Sequence, residues 1–465
     1  VRGLRDTSHA LDAGLADIRQ QFSVPGPFPV EVLAAAQEAA QRTPDEHIDR
    51  TDWAFVTLDP AASTDLDQAF TISSAGPGAD ADLLLHYAIA DVAWFVRDGD
   101  PVDAEAWRRG STIYLPDGKA ALYPPVLAEG AASLLPDGPR PAVLFHVRVD
   151  SSGIARLDGA ERALVRSRAK LEYESVQAAD LPPAFGEFAR RIAAADVVRG
   201  AGRVEPPEQL VERHGDAYEL VFRPRLESED RNAAMSLAAN LAVGAALFAA
   251  GTGLFRVMPE PDARAVKRLR HTARAFGLAW PDTQSLVDFV RTLESNDPKH
   301  AAFMLAERRA GGGAEYVTFQ PGVTPWHSAL AATYSHATAP LRRLADRYTV
   351  QTALAVANGL PVPEPVAVAL PRLPEVMARA DAQSNRIDRA VIDLAEAVML
   401  ERSVGSTFVA VVLDDDDEVT RIQLRDLPIV AKLKTRGELQ PGDEVRVKVV
   451  AVDPGQRTVR FDRVA

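Results

Sequence analysis

Three aspartates within nine residues, Asp59, Asp65 and Asp67, mark the segment FVTLDPAASTDLDQAF at 55–70 as the place where this chain could do chemistry. Asp65 and Asp67 stand two apart, so an extended backbone points both carboxylates to one side. Asp59 lies across the PAAST turn and can fold back toward them. Carboxylates forced together repel one another unless a cation or protons compensate. A set of oxygen ligands without sulfur or histidine suits Mg2+, with Mn2+ as a substitute. The spacing is not that of a calcium loop, D-x-[DN]-x-[DN]-G. A polar loop with acidic caps and no metal is the competing reading of the same residues. Asp91, inside the apolar stretch HYAIADVAWFV, could likewise satisfy backbone donors rather than reach a metal.

Carboxylates with Mg2+ suit phosphoryl chemistry, because the metal activates water and offsets charge on the leaving oxygen. The phosphate also needs fixed cationic donors. YSHATAPLRRLADRY at 334–348 offers His336, Arg342, Arg343 and Arg347. Pro340 sits where a helix can begin, and a helix N-terminus beside an arginine is an anion site. A second basic stretch, Arg256 to Arg274, reads as a solvated helix face. Other chemistries are excluded or unsupported. There is no cysteine, which removes disulfides, zinc–thiolate sites, Fe–S clusters and thiol nucleophiles. No G-x-x-x-x-G-K-[ST] and no G-x-G-x-x-G after a strand occurs, so no nucleotide cofactor is expected.

The elements that must position these residues read as mixed α and β. The chain has 465 residues, 47% hydrophobic and 25% charged, an ordinary globular composition. Residues 1–45 form a short helical segment, LDAGLADIRQQF and PVEVLAAAQEAAQRT around the breaker SVPGPFP, and could belong to a helix-turn-helix-like domain. Strand-like runs follow at 53–59, 67–73 and 81–92. The helical period dominates 158–200, and helices are expected at 229–250, 261–275, 284–293, 298–309, 327–357 and 371–403. Residues 46–403 thus read as one large mixed α/β domain. From 404 to 465 short alternating strands with turns at PGD and DPGQ fit a small barrel of the OB type. That module carries an acidic run, Asp414 to Glu418, and a basic excess outside it. It is either a solvated β-module or a platform for a single strand. The net charge of −13 argues against long duplex DNA as a partner, though not against an enzyme that admits single strands into an inner basic channel. No run of 18 apolar residues occurs and VRGLRDTSHALDAG lacks a signal core, so the expectation is a cytoplasmic protein with no membrane partner.

Four stretches in this order resemble the ribonuclease II/R family of processive 3′→5′ exoribonucleases, whose catalytic domain is called RNB. They are TLDPAASTDLDQAF, HYAIADVAWFV, SRAKLEYESVQ and YSHATAPLRRLADRY. The C-terminal barrel resembles the family's S1 RNA-binding domain. The resemblance implies an RNB-type mixed α/β fold over 46–403, an S1 domain over 404–465, and a monomer acting on the 3′ end of single-stranded RNA. It implies that Asp59, Asp65 and Asp67 are three of the family's four metal-site aspartates. The fourth position holds Gln68, which offers one neutral oxygen. Asp67, Arg342 and Tyr173 would be catalytic, Arg342 holding the scissile phosphate. Tyr173 would help clamp the terminal nucleotides, and Tyr114 would hold the 3′ end and influence final product length. Arg343 and His336 would face the RNA. Near LAAN at 237–240, where part of the family has a glutamate that contacts the RNA end, this chain has Asn232, Ala233 and Ala234. The family's paired cold-shock domains have no counterpart in residues 1–45.

The implied reaction is Mg2+-dependent hydrolysis of RNA to nucleoside 5′-monophosphates. Gln68 keeps a second class open, an RNA-binding protein with weakened catalysis on the same scaffold. A metal-dependent nuclease that also acts on DNA is the third.

Overall fold

The computed structural model describes all residues except 1–3, 7–9, 79, 203–207, 215–216, 224, 295–296, 417–418, 434–438, 441 and 465. Its centre is a seven-stranded sheet. The strands run in the spatial order Ser167–Glu172, Phe55–Asp59, Gln68–Ser74, Leu83–Ala90, Arg140–Val149, Ala155–Val165 and Ile48–Asp49. The two outermost pairings are parallel and the inner ones antiparallel. Side chains alternate across a sheet, and here both faces are apolar. Phe70, Ile72, Leu85, Tyr87, Phe145 and Val147 fill one core, under the helices Phe185–Arg199 and Glu227–Ala249. Phe55, Ala69, Ala88, Ala142 and Leu144 fill the other, with Val30–Ala39, Pro101–Arg109 and the first turns of Leu344–Ala357. By length and composition the helix Glu227–Ala249 could cross a membrane. Its Met235, Ala238, Ala239, Ala242, Val243 and Leu247 are buried in the first of these cores.

Two stretches depart from the periodicity reading. Residues 158–172, expected as helix, are strand, and helix begins only at Phe185. ARLDGAERALV spaces its charged residues so that either period fits. Pairing along the whole of Arg140–Val149 decides for the strand. Residues 326–333 form a small hairpin, and the helix expected from 327 starts at Leu344.

The C-terminal strands close into a barrel, in the order Thr407–Asp416, Val419–Leu424, Val430–Leu433, Thr458–Val464 and Glu444–Asp453. Residues 417 and 418 of the acidic run lie outside the described residues. The barrel's apolar filling, including Val412, Ile422, Leu433, Val447 and Phe461, is continuous with Ile387, Val391 and Leu394 of the long helix Leu373–Leu400. It continues into Leu11, Leu15 and Ile18 of the helix Ala10–Gln21. The N-terminal segment therefore does not stand apart. Leu4–Asp6 pairs with Ala217–Arg223, and Gly14 meets Leu394 so closely that a Cβ there would lie 2.5 Å from it. At the joint, Glu396 Oε1 accepts from Val430 N–H at 3.1 Å and from the Gln209 side-chain amide at 2.8 Å. Burial pushes the pKa of Glu396 up to about 8.

Candidate active site

Asp59 ends its strand, and the parallel pairing sets Glu172 opposite it. The next residue, Tyr173, donates its N–H to the Asp59 carbonyl at 3.3 Å. The strand register thus delivers the tyrosine to the carboxylate. The first turns of the Glu227–Ala249 helix hold Tyr173 from the other side. Asn232 Nδ2 donates to its hydroxyl at 2.7 Å and Ser228 Oγ to its carbonyl at 2.7 Å. Asn232, which the sequence left without a role, positions the tyrosine.

Between Asp65 and Asp67, Leu66 is fully buried, with its N–H on Ser133 Oγ at 2.9 Å and its carbonyl accepting from Leu134 at 3.0 Å. This plug fixes the two flanking carboxylates. Asp67, 4% exposed, accepts the Leu341 N–H at 2.7 Å and forms an ion pair with Arg342, whose Nε lies 3.2 Å away. Asp65 accepts Lys119 Nζ at 2.7 Å on one oxygen and the Tyr114 hydroxyl at 3.3 Å on the other. Gln68 spends its side-chain N–H on the Thr338 carbonyl. Burial pushes the carboxyls of Asp59 and Asp67 up to about 7, against the lowering influence of Arg342.

Those two acids are what a divalent cation would meet. Both are desolvated carboxyls, and among the described residues no hydrogen bond reaches the Asp59 carboxylate. Hard oxygen donors with unmet negative charge fit Mg2+ or Mn2+. Among the described residues, no three His, Cys, Asp or Glu side chains converge as a ready-made metal cage. The fit is therefore one of donor chemistry at Asp59, Asp65 and Asp67 rather than of a closed cage.

The arginines divide sharply. Arg342 keeps a guanidinium 47% exposed, acting on Asp67, Tyr114 and Asp59 together. Arg343 sets its fork on Asp346 at 2.8 and 2.7 Å. Arg347 is buried on Asp103 and the Tyr348 hydroxyl. His336 shares a hydrogen bond of 2.7 Å with the Tyr316 hydroxyl, and burial pushes its pKa down, leaving a neutral ring. The anion site expected at Pro340 is filled by the chain's own acids. Thr338 and Ala339 N–H go to Asp346 at 3.0 and 2.8 Å, and Leu341 N–H goes to Asp67. The helix therefore starts four residues after Pro340.

The structure thus brings together Asp59, Asp65, Asp67, Gln68, Tyr114, Tyr173 and Arg342, while Arg343 and His336 are engaged elsewhere. Sequence reading passed over Lys119, Glu129 and Asp346. For Lys119 there was one signal, its place across the LPDG turn from Tyr114.

The sequence matches the RNB domain over residues 47–356 and the RNase II-type exonuclease C-terminal S1 domain over 406–464. Ribonuclease R of Thermotoga maritima is 25% identical over 437 residues, covering 87% of this chain and 60% of that protein. An Arabidopsis thaliana protein named inactive exonuclease DIS3L2 is 28% identical over 375 residues, covering 70% of this chain and 35% of its own. The solved structure of Mycoplasma genitalium RNase R in complex with ribose-methylated single-stranded RNA superposes with a TM-score of 0.85. It is 19% identical and covers 98% of this chain and 78% of that one. The chain spans about six tenths of the length of the curated relatives it matches first.

Proposed function

This chain belongs to the RNB family, with a C-terminal S1 domain of the RNase II type, and from that premise we propose that it hydrolyses single-stranded RNA from the 3′ end, releasing nucleoside 5′-monophosphates. The observation that carries the reading is the convergence of distant segments on one spot. Asp59, Asp65 and Asp67, the hairpin residue Tyr114, Tyr173 and Arg342 meet there, and Arg342 senses Asp67, Tyr114 and Asp59 at once.

Asp59 and Asp67 would hold a divalent cation, which when bound supplies activation of water and charge neutralisation at the phosphate. The chain's own residues do the rest. Arg342 presents a planar fork to the equatorial phosphate oxygens, and its tie to Asp67 fixes where that fork points. The Leu341 N–H holds Asp67 in place while leaving the guanidinium free. Tyr114, 50% exposed, offers a face for the terminal base. Tyr173, locked by Asn232 and Ser228, limits how the last nucleotides sit beside Asp59. The barrel adds a surface for the incoming strand.

The test is 5′-labelled RNA with Mg2+, followed on a gel beside a matched DNA strand. A ladder shortening from the 3′ end with release of monophosphates is the expected result. DNA hydrolysis at a comparable rate would replace the reading by a mixed nuclease. Gln68, where the family resemblance puts a fourth acid, favours one other outcome. Stoichiometric RNA binding without monophosphate release would make the chain an RNA-binding protein on this scaffold.

A further inference from the structure

Ser228, Asn232, Ser236 and Asn240 recur at every fourth position of the helix Glu227–Ala249, so they share one face. Three tyrosines from separate segments end on that polar stripe. Ser236 Oγ lies 2.7 Å from the hydroxyl of Tyr87, which is fully buried. Asn240 Nδ2 donates to the Tyr334 hydroxyl at 3.1 Å, and Asn240 Oδ1 accepts the Ala337 N–H at 2.8 Å, in the segment that leads to Arg342. Tyr173 is only half-buried, unlike Tyr87. Its carbonyl accepts from Ser228 Oγ and its hydroxyl from Asn232 Nδ2. The direction of this last bond is forced. The same nitrogen lies 3.3 Å from the Leu58 carbonyl. A carbonyl only accepts, so the amide must turn its NH2 group that way, with one proton for Leu58 and the other for Tyr173. The phenol oxygen therefore accepts from inside the fold, and its own proton finds no acceptor among the described residues.

We propose that Asn232 is a positioning residue that fixes the hydrogen-bond polarity of Tyr173, so that the phenol presents its proton to a phosphate oxygen at the RNA end. The inference rests on the exoribonuclease reading for the identity of the ligand. A fixed donor matters only to a partner that cannot adapt. A ribose 2′-hydroxyl both donates and accepts, and pairs with a tyrosine of either polarity, whereas a phosphate oxygen only accepts. The surroundings agree. Asp59 and Arg342 both act on the Tyr173 hydroxyl, so the phenol stands beside the fork offered to phosphate. Burial pushes its pKa up, so the proton stays on the oxygen. The main chain cannot re-aim it, because the Tyr173 N–H is held by the Asp59 carbonyl and the Tyr173 carbonyl by Ser228. A contact with phosphate carries no sequence information, as an enzyme that removes every nucleotide in turn requires.

The test is equilibrium binding of 5′-fluorescein-labelled RNA to the full chain without divalent metal. Each linkage near the 3′ end is replaced in turn by an uncharged methylphosphonate. In wild type one linkage should carry a penalty that shrinks ~10-fold in Tyr173→Phe, the size of a hydrogen bond to a charged group. Asn232→Leu should shrink the same penalty ~3-fold or more, and should change nothing further when added to Tyr173→Phe. An Asn232→Leu effect as large in the Tyr173→Phe background as alone would place its action on the fold and overturn the proposal. So would penalties identical in wild type and Tyr173→Phe at every linkage. Lost discrimination against a terminal 2′-deoxy nucleotide in Tyr173→Phe, with the methylphosphonate penalties unchanged, would give the proton to the sugar and overturn it as well. If Asn232→Leu does not fold, Asn232→Ser, too short to reach the hydroxyl, takes its place. Wild type that binds RNA without these differences refutes the polarity alone, whereas wild type that neither binds nor degrades RNA removes the exoribonuclease reading with it.

Discussion

Asp346 and Asp67 are bound by the same short turn, Thr338–Leu341, and the chain treats them in opposite ways. Asp346 is fully buried and receives the N–H groups of Thr338 and Ala339 and both arms of Arg343. Its charge is answered entirely from within. Asp67 receives one N–H and a single longer contact from Arg342, and Asp59 beside it receives no hydrogen bond on its carboxylate among the described residues. Burial pushes both up to about 7. A carboxylate that the fold satisfies is architecture, whereas one that the fold desolvates and leaves short of partners is held ready for an outside cation. Removing either should therefore damage different things.

The largest effect is expected on chemistry. Asp67→Asn should slow single-turnover hydrolysis of saturating RNA ~1,000-fold or more, about 4 kcal/mol of transition-state stabilisation. RNA affinity measured without metal should barely change. A rate close to wild type at every Mg2+ concentration would show that the contrast is misplaced. Asp346→Asn should act on the fold instead. It leaves the Arg343 guanidinium, 26% exposed, facing a neutral amide and removes the acceptor of two buried N–H groups, and denaturant unfolding should report a loss of about 1–3 kcal/mol. If that variant unfolds normally but hydrolyses slowly, the division between architecture and chemistry fails at this turn.

Arg342→Lys should cost less, about 100-fold in the single-turnover rate, because a point charge replaces a fork at the reacting phosphate. Weakened binding with an unchanged rate would move Arg342 out of the chemical step. Next comes the pH dependence. The carboxyls of Asp59 and Asp67 titrate near 7 in the folded chain and near the ordinary 3.8 when unfolded. Between those values the folded state binds more protons than the unfolded one. Stability without metal should therefore fall as pH rises from about 4 through about 7. Saturating Mg2+ should flatten that slope over the same range, and thermal unfolding across pH with and without Mg2+ reads it. The smallest change is expected at the barrel joint. In the fold Glu396 stays protonated to about pH 8, whereas unfolded it ionises at the ordinary 4.5, so Glu396→Gln should match wild-type stability within ~1 kcal/mol near pH 4. The variant should become progressively more stable than wild type as pH rises from about 5 through about 8.

What was legible in the sequence follows the same line. The strand alternation of the barrel is local and led to the right element, and the D-x-D spacing is local and marked the segment that Tyr114 and Arg342 reach. Tyr114, Tyr173 and Arg342 came from the family resemblance, because nothing in their own neighbourhoods distinguishes them from packed aromatics or surface charge. The strands at 155–172 were hidden because charged residues there satisfy two periods, and only the neighbouring strand chooses between them. Arg343 and Arg347 could not be told from Arg342, since what separates them is the location of Asp346 and Asp103 in space. Lys119 sits on a short strand just after a tight turn, and its partners lie far off in sequence, Asp65 54 residues before it and Glu129 on a later helical turn.

The barrel's filling runs without a break into Leu394 and Val391 of the long helix and on to Leu11 and Leu15 near the start of the chain. A module built that way is a poor candidate for exchange. A chimera that takes its last sixty residues from a relative would inherit outward apolar side chains shaped for a different helix and a different N-terminal segment. Functional grafts should require the three pieces to travel together, and related chains should diverge in them in concert.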